Sequence, residues 1–343
     1  MYSRISMYLP NYTITPKILS NINEIERLYG RLEGMKIPQS LLLNLQRDNL
    51  IESSYASNSI EGNPLSQAAV TNLLLNERVP VNRDEKEVVN YFNILKNLEE
   101  KVKEPLDVQQ ILRIHKELLS GVDEAIKGQI RNKEIIVGNR AATGEIFIKH
   151  NPPFHDRVSI EKALGELTEW VEKSEDLPIL KAGLFHHQFV YIHPFEDGNG
   201  RTCRLATALI FLKNHYLINK YFVLDDYYDI DRDNYSDSLH SADRGDQTEW
   251  LEYFTEGVKF SLQSAVGNVE SGLSKLSFDM RPSPREQEAL QLLQQYRQMN
   301  TADLVKELKI TRQQAFNLLK ALTEKGYIEK KGTTKDSYYV LKA

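Results

Sequence analysis

The chain has 343 residues, 41% of them hydrophobic and 27% charged, a globular composition with room for two or three domains. No apolar run approaches the roughly 20 residues that cross a bilayer, and the first residues, "MYSRISMYLPNYTI", lack the charged and apolar regions of a signal peptide. The single cysteine, Cys203, excludes an internal disulfide and a cysteine-based zinc site, which suits a reducing cytoplasm. Net charge is −5 but uneven: residues 283–343 hold 11 Lys+Arg against 7 Asp+Glu, leaving −9 for the rest. A mildly basic tail on an acidic body hints at a nucleic-acid module, although +4 is a small footprint.

In chain order, most of residues 16–125 reads as helix. Apolar residues recur at helical spacing in "ILKNLEEKV" and "VQQILRIHKELL", and Pro105 and Asp107 mark a boundary between them. Two β-rich runs follow, Glu134–Val137 and Glu145–Ile148, flanking a turn at Thr143-Gly144, with Pro152-Pro153 ending the hairpin. Helical periodicity resumes at Ser159 and runs to about Leu262; one helix covers Ile179–Tyr191 and another begins around Gly200. The weakly periodic segment 263–282 reads as a linker or a loosely packed helix. The remainder, 283–343, carries two short helices joined by a tight turn, with Thr311 as an N-cap and Gly326 as a stop, then two strands around "KGTTKD". That order predicts a winged helix-turn-helix, resembling the DNA-binding modules of bacterial regulators, with Arg312, Gln313, Gln314 and Asn317 facing a major groove. A wing used only for protein contacts stays open.

The densest chemistry lies in "HPFEDGNGRTCR" at 193–204. Gly198 and Gly200 free the backbone for left-handed conformations, so that consecutive N–H groups around Asn199 can point one way. A helix starting there adds its unpaired N–H groups and positive dipole end. Arg201 takes the place where a Walker A loop would need lysine. Arg201 and Arg204 share a helix face, suited to polyphosphate. Asp197 can hold Mg²⁺, and His193 can accept a proton near neutral pH. Each piece alone has an ordinary reading as loop, turn or solvated face; Phe195 reads as an anchor into the core. Together they describe phosphoryl or nucleotidyl transfer.

The same stretch resembles, without mismatch, the HxFx(D/E)GNGRxxR motif of the Fic family of AMP-transferring enzymes. The resemblance implies a mainly α fold: a Fic-type helical core with a β-hairpin flap, plus the C-terminal winged helix-turn-helix. It divides the chain into an N-terminal helical region (1–105), the core (106–262), the linker (263–282) and the winged domain (283–343). His193 would deprotonate a Tyr, Thr or Ser hydroxyl of a target protein, which attacks the α-phosphate of ATP. Asp197 would bind Mg²⁺ (or Mn²⁺); Gly198, Asn199 and Gly200 would form the anion hole; Arg201 and Arg204 would meet the β- and γ-phosphates. Val137 and Gly138, near the tip of the flap at 134–148, would lie on the nucleotide side, with Tyr235 and Asp243 near the adenine, although Tyr235 could equally pack in the core.

Upstream, "SNSIEGN" at 57–63 resembles the family's inhibitory pattern (S/T)xxxE(G/N), with Ser57, Glu61 and Gly62 in place. On spacing alone, Ser57 and Glu61 are one helical turn apart and could be a surface pair, with Gly62 as a C-cap. The resemblance implies that Glu61 salt-bridges Arg204 where the γ-phosphate would lie, so the expected protein is an autoinhibited protein adenylyltransferase of the bacterial cytoplasm. A transcriptional regulator that senses nucleotide and binds DNA, or an enzyme that also removes AMP, are the alternatives. A homodimer is implied as well, with no membrane partner.

Overall fold

A computed structural model describes residues 8–140, 146–279, 282–332 and 337–342. The chain divides into two compact units, Met1–Val269 and Glu270–Ala343. No described helix is long and apolar enough to cross a membrane.

The first unit is helical except for one hairpin. Five helices lead: α1 (Pro16–Gly34), α2 (Gln39–Ile60), α3 (Gln67–Leu75), α4 (Arg83–Lys96) and α5 (Val108–Leu118). Thr15, Ser66, Asn82 and Asp107 cap α1, α3, α4 and α5 through their side-chain oxygens, satisfying N–H groups that a helix start leaves unpaired. The predicted boundary at Pro105–Asp107 is therefore a helix start. Strands β1 (Val137–Arg140) and β2 (Ile146–His150) pair antiparallel, Val137 opposite His150 and Arg140 opposite Ile146, with an irregularity between Val137 and Gly138.

The hairpin is thus offset from its predicted position. Glu134–Ile136 are not strand, and Ile136 is exposed. Val137 and Gly138 sit at the base of the hairpin rather than near its tip. The turn at Thr143-Gly144 lies outside the described residues.

Next come α6 (Arg157–Lys173), α7 (Pro178–Ile192), α8 (Asn199–Lys213), α9 (Asp225–Ile230), α10 (Arg232–Ser241) and α11 (Thr248–Asp279). Helix α8 is the centre of the unit. From Arg201 to Leu212 every residue is buried, the signature of a helix surrounded by others rather than one with a wet face. It packs against α7, α5, α2 and α4. Close packing of α7 on α11 depends on Gly183, where a Cβ would lie 2.8 Å from the Phe254 ring; its buried carbonyl accepts from Trp250 Nε1 at 2.7 Å. The segment 263–282 is helical to Asp279: α11 buries Ala265, Val266 and Val269 and carries across the boundary between the two units after Val269.

The second unit holds α12 (Pro284–Tyr296), α13 (Thr301–Leu308), α14 (Arg312–Glu324) and the antiparallel pair β3 (Ile328–Lys331) and β4 (Tyr338–Leu341). Capping boxes begin all three helices, at Ser283, Asn300 and Thr311. Gly326, at φ 77°, follows the end of α14 as predicted. Met299 bridges to Tyr339 through both backbone groups, at 3.1 and 2.8 Å. The core gathers Leu293, Leu304, Ala315, Leu319, Leu322 and Ile328.

Candidate active site

The quoted loop joins α7 to α8, and its shape begins with His193. This residue ends α7 in the left-handed region, φ 50° and ψ 64°, which costs a side-chain-bearing residue on the order of 1 kcal/mol or more. A buried arginine supports it. Arg131 donates from Nε to the His193 carbonyl at 2.7 Å and from Nη2 to the Ile192 carbonyl at 3.2 Å; its own N–H bonds the Pro194 carbonyl at 3.0 Å. Phe195 is fully buried and stacks on His115 with ring centroids 3.7 Å apart, the anchor expected of it.

Asn199 closes the loop from inside. Its Oδ1 accepts from Phe195 N at 2.9 Å and its Nδ2 donates to Phe195 O at 2.8 Å. The side chain is committed to the loop, so only the backbone N–H of Asn199 is left for an anion. His115 holds the other side: Nδ1 accepts from Gly128 N at 2.9 Å, which leaves Nε2–H to donate to the Asp197 carbonyl at 3.0 Å. Burial pushes this imidazole down to about 4, consistent with the neutral tautomer those bonds require.

Of the two motif glycines, only Gly198 is left-handed, at φ 76°. It is the N-cap of α8 and offers no side-chain cap, so the first N–H groups of the helix lack a capping side chain, with the dipole's positive end behind them. Gly200 lies within the helix, and its need for glycine is different. A Cβ there would stand 2.1 Å from Glu61 Oε1. The missing side chain makes room for a carboxylate at the helix start.

That carboxylate comes from the end of α2. Glu61 is the C-cap residue and Gly62 follows at φ 85°, the C-terminal stop expected from the sequence. Arg204, on the second turn of α8, donates from Nη2 to Glu61 Oε1 at 2.7 Å and to the Ser57 carbonyl at 2.9 Å, and from Nε to Ser57 Oγ at 2.7 Å. Asp225 Oδ1 lies 3.5 Å from the same Nε. Burial would pull the guanidinium down, but Glu61 and the other anionic neighbours hold it above its ordinary value. The surface-pair reading of Ser57 and Glu61 is excluded by geometry: Ser57 is fully buried and both meet Arg204.

A second ionic group sits beside the first. Arg201 lies 3.2 Å from Asp197 Oδ1 and 3.2 Å from Glu87 Oε2. Arg83, at the start of α4, reaches Glu87 Oε1 at 3.0 Å and Asp197 Oδ2 at 2.8 Å. Asp197 is a partly exposed hard-oxygen donor beside the helix N-terminus, and everything that meets its carboxylate is a cation or an N–H, Gly198 N included at 2.6 Å. The carboxylate is the kind of oxygen donor Mg²⁺ takes, but its present partners are cations that compete with one, so the half-exposed Arg83 would have to yield.

His193 bonds the Val190 carbonyl through Nδ1 at 3.2 Å. This fixes the proton on Nδ1 and leaves Nε2 with a free lone pair. Burial pushes the ring down to about 4, so it is neutral at pH 7, the state a proton acceptor requires.

Two further expected site residues lie next to this loop, Tyr235 beside Arg204 and Asp243 in a histidine cluster that reaches His193, and both are already engaged. Tyr235 is buried, stacked on Tyr228 at 4.3 Å between centroids, with its hydroxyl 2.8 Å from His186 Nε2. It is a core residue rather than the wall of an open adenine pocket. Asp243 is held by three imidazoles: His150 Nδ1 at 2.7 Å, His240 Nδ1 at 3.0 Å and His187 Nε2 at 3.1 Å. Burial opposes its charge, yet the histidines hold it well below the usual carboxylate range. Cys203 is buried with its thiol 3.4 Å from the His186 carbonyl, and burial pushes the thiol up, which makes it a spacer.

This geometry gathers an uncapped start of a buried helix, a neutral histidine beside it and a carboxylate against it. Residues 105–211 match the Fic/DOC family, and the chain carries a domain of that family over this stretch. Protein adenylyltransferase fic-1 of Caenorhabditis elegans is 25% identical over 289 residues, 80% of this chain and 52% of the relative. Protein adenylyltransferase Fic of Aedes aegypti is 26% identical over 275 residues, 74% of this chain and 50% of the relative. The chain spans about half the length of these relatives. A crystal structure of a Fic family protein from Desulfovibrio desulfuricans superposes with a TM-score of 0.69 at 25% identity, covering 98% of this chain and 99% of that one.

Proposed function

We propose that this protein is an adenylyltransferase that moves AMP from ATP to Tyr, Thr or Ser hydroxyls of proteins, and that Glu61 holds it in an off state. The observation that carries this reading is the 2.7 Å pair between Glu61 and Arg204 inside a complete phosphate-handling motif. An anion already lies at the helix start where a nucleotide's terminal phosphate would go.

With Glu61 displaced, Arg204 and Arg201 are the cations that receive the β- and γ-phosphates, and the first N–H groups of α8 receive the charged oxygens beside them. A divalent ion held by Asp197 would neutralise phosphate charge. His193 Nε2 takes the proton of the target hydroxyl. The hydroxyl oxygen bonds to the α-phosphorus, the bond from that phosphorus to the bridging oxygen breaks, and pyrophosphate leaves with the electron pair. The flap strands β1 and β2, ending at His150 near His193, suit a target segment added as a further strand. A homodimer and a role for Glu61 in removing AMP belong to the same reading.

The test is intact-mass analysis after incubation with Mg-ATP of wild type, Glu61→Gly, and Glu61→Gly with His193→Ala, with and without a candidate target protein. An AMP adduct on Glu61→Gly alone supports transfer, brake and base together. An equal adduct on the wild type and Glu61→Gly sinks the brake, and an undiminished adduct after His193→Ala sinks the base.

The winged-helix reading of the C-terminal unit is supported by α14, which presents Arg312, Gln313 and Asn317 to solvent. Gln314 is engaged in the capping box of Thr311, so the base-reading set is smaller than the sequence suggests. Salt-dependent retardation of duplex DNA by the full chain, lost on Arg312→Ala with Gln313→Ala, would support DNA as a partner; no retardation at low salt removes it.

A further inference from the structure

The histidine cluster around Asp243 contains more donor atoms than its own protons can satisfy. His150, at the end of β2, is 4% exposed. Its Nδ1 lies 2.7 Å from Asp243 Oδ2 and its Nε2 lies 3.0 Å from the Tyr191 carbonyl. Both neighbours are acceptors, and a neutral imidazole has only one N–H. Either the ring is an imidazolium or a cation other than a proton belongs on one nitrogen.

We propose that His150, His240 and Asp243 bind a divalent transition-metal ion of the zinc class. The Nε2–H of His150 then donates to Tyr191, which turns Nδ1 toward the ion. This is how a ligating imidazole is ordinarily oriented, its second nitrogen donating to a carbonyl. His240 supplies Nδ1, 3.0 Å from the same Asp243 Oδ2, and Asp243 supplies that oxygen. The three donor atoms lie within 4.8 Å of one another. The other carboxylate oxygen accepts from His187 Nε2 at 3.1 Å, an outer partner that fixes the carboxylate's rotation.

Ligand atoms around tetrahedral zinc lie about 3.3 Å apart, so Asp243 Oδ2 must retreat by roughly half an ångström while the two imidazole nitrogens, within 4.8 Å of each other, settle around the ion. Two imidazoles and one carboxylate suit zinc and its first-row neighbours, and are too nitrogen-rich for Mg²⁺ or Ca²⁺. Three protein ligands leave a fourth position for water. The partly exposed side is that of His240 and Asp243, whose side chains are 16% and 21% accessible, which gives the ion a way in. His150 comes from the flap, His240 from α10 and Asp243 from the turn after it, so the ion would fasten the hairpin to the helical core. The His150 ring lies 6.3 Å from that of His193, and the fastening point is therefore beside the candidate base.

The test uses full-length, tag-free protein stripped with a chelator. Zn²⁺ is titrated by competition with a chromogenic chelator, and Co²⁺ by its visible ligand-field bands. One equivalent bound below micromolar Kd is expected, with four-coordinate Co²⁺ bands and a melting temperature that rises with Zn²⁺. His240→Ala and Asp243→Asn, each checked for fold by circular dichroism, should weaken binding at least hundredfold and abolish the melting shift. Removing the exposed His155 should change neither. Absence of binding by the wild type overturns the proposal without recourse to any variant, and so does full binding by folded His240→Ala.

Discussion

Replacing Glu61 with glycine tests the central contact, and its size can be worked from the geometry. The carboxylate makes a charge-assisted bond of 2.7 Å to Arg204, whose side chain is 2% accessible, while that of Glu61 is 32% accessible. Bonds to charged groups contribute about 1.5–3 kcal/mol, and partial exposure places this pair toward the lower part of that range. Arg204 is not orphaned by the change, because Ser57 and Asp225 still face it. Any nucleotide whose phosphate needs Arg204 must first displace Glu61, so the same energy opposes binding. At 1.4 kcal/mol per tenfold, Glu61→Gly should tighten Mg-ATP binding by about ten- to a hundredfold. Titration calorimetry of Mg-ATP into both proteins reads the difference directly, with Glu61→Gln separating charge from bulk. An unchanged Kd in Glu61→Gly would show that the carboxylate and the phosphate do not compete, and the argument from Arg204 would fall.

The space at Gly200 gives a second, non-additive prediction. Gly200→Ala places a Cβ against Glu61 Oε1 and should lower stability by about 1–3 kcal/mol through overpacking. In the Glu61→Gly background the same change should be neutral or stabilising, by up to about 1 kcal/mol from helix propensity; urea midpoints of the four proteins close the cycle, and additivity would refute the shared volume. Acid should destabilise the fold through His115, which is fully buried and pushed down to about 4. Between the ordinary value near 6.5 and pH 4, the unfolded chain takes up a proton there and the folded chain does not. Stability therefore falls as pH drops through that window, by roughly 3 kcal/mol from this group, and His115→Gln should flatten the loss in urea midpoint between pH 7 and 4.5. His193, also pushed down to about 4, predicts a kcat/KM for AMP transfer by Glu61→Gly without a titration near pH 6.5; a midpoint there would contradict a neutral base.

The motif between 193 and 204 was legible because its residues are adjacent and each type is constrained by the chemistry of anions. Helices α7 and α8 were legible for the same local reason, an apolar run interrupted at His193-Pro194. What supports the motif was not. Arg131 holds His193 from 62 residues away, His115 holds Asp197 from 82, and Arg83 reaches Asp197 across 114. Each is a lone polar residue on an unremarkable stretch, and only the fold brings it to the loop. The first strand of the hairpin lies about three residues beyond its expected place, since β propensity favours "EIIV" while the strand starts only where Val137 pairs with His150; the second run overlaps β2. The segment after Leu262 left helix and linker both open for a related reason. Gly267 and Gly272 weaken the helical pattern by about 1 kcal/mol each, and burial of Ala265, Val266 and Val269 outweighs them. Tyr235 stayed open between two roles in the sequence, because an aromatic residue near a site reads the same whether it lines a pocket or fills the core.

Glu61 and Arg204 are joined by 143 residues of the same chain, which decides how the contact can be opened. Dilution cannot separate them, and no concentration of protein makes the closed form more or less favourable within one chain. Opening requires something that prefers the open arrangement by more than the pair contributes, whether nucleotide, a bound target or a neighbouring copy. Response to such an agent would then be graded by its differential affinity, and its set point would be written in the last turn of α2, where Ser57 and Glu61 both meet Arg204.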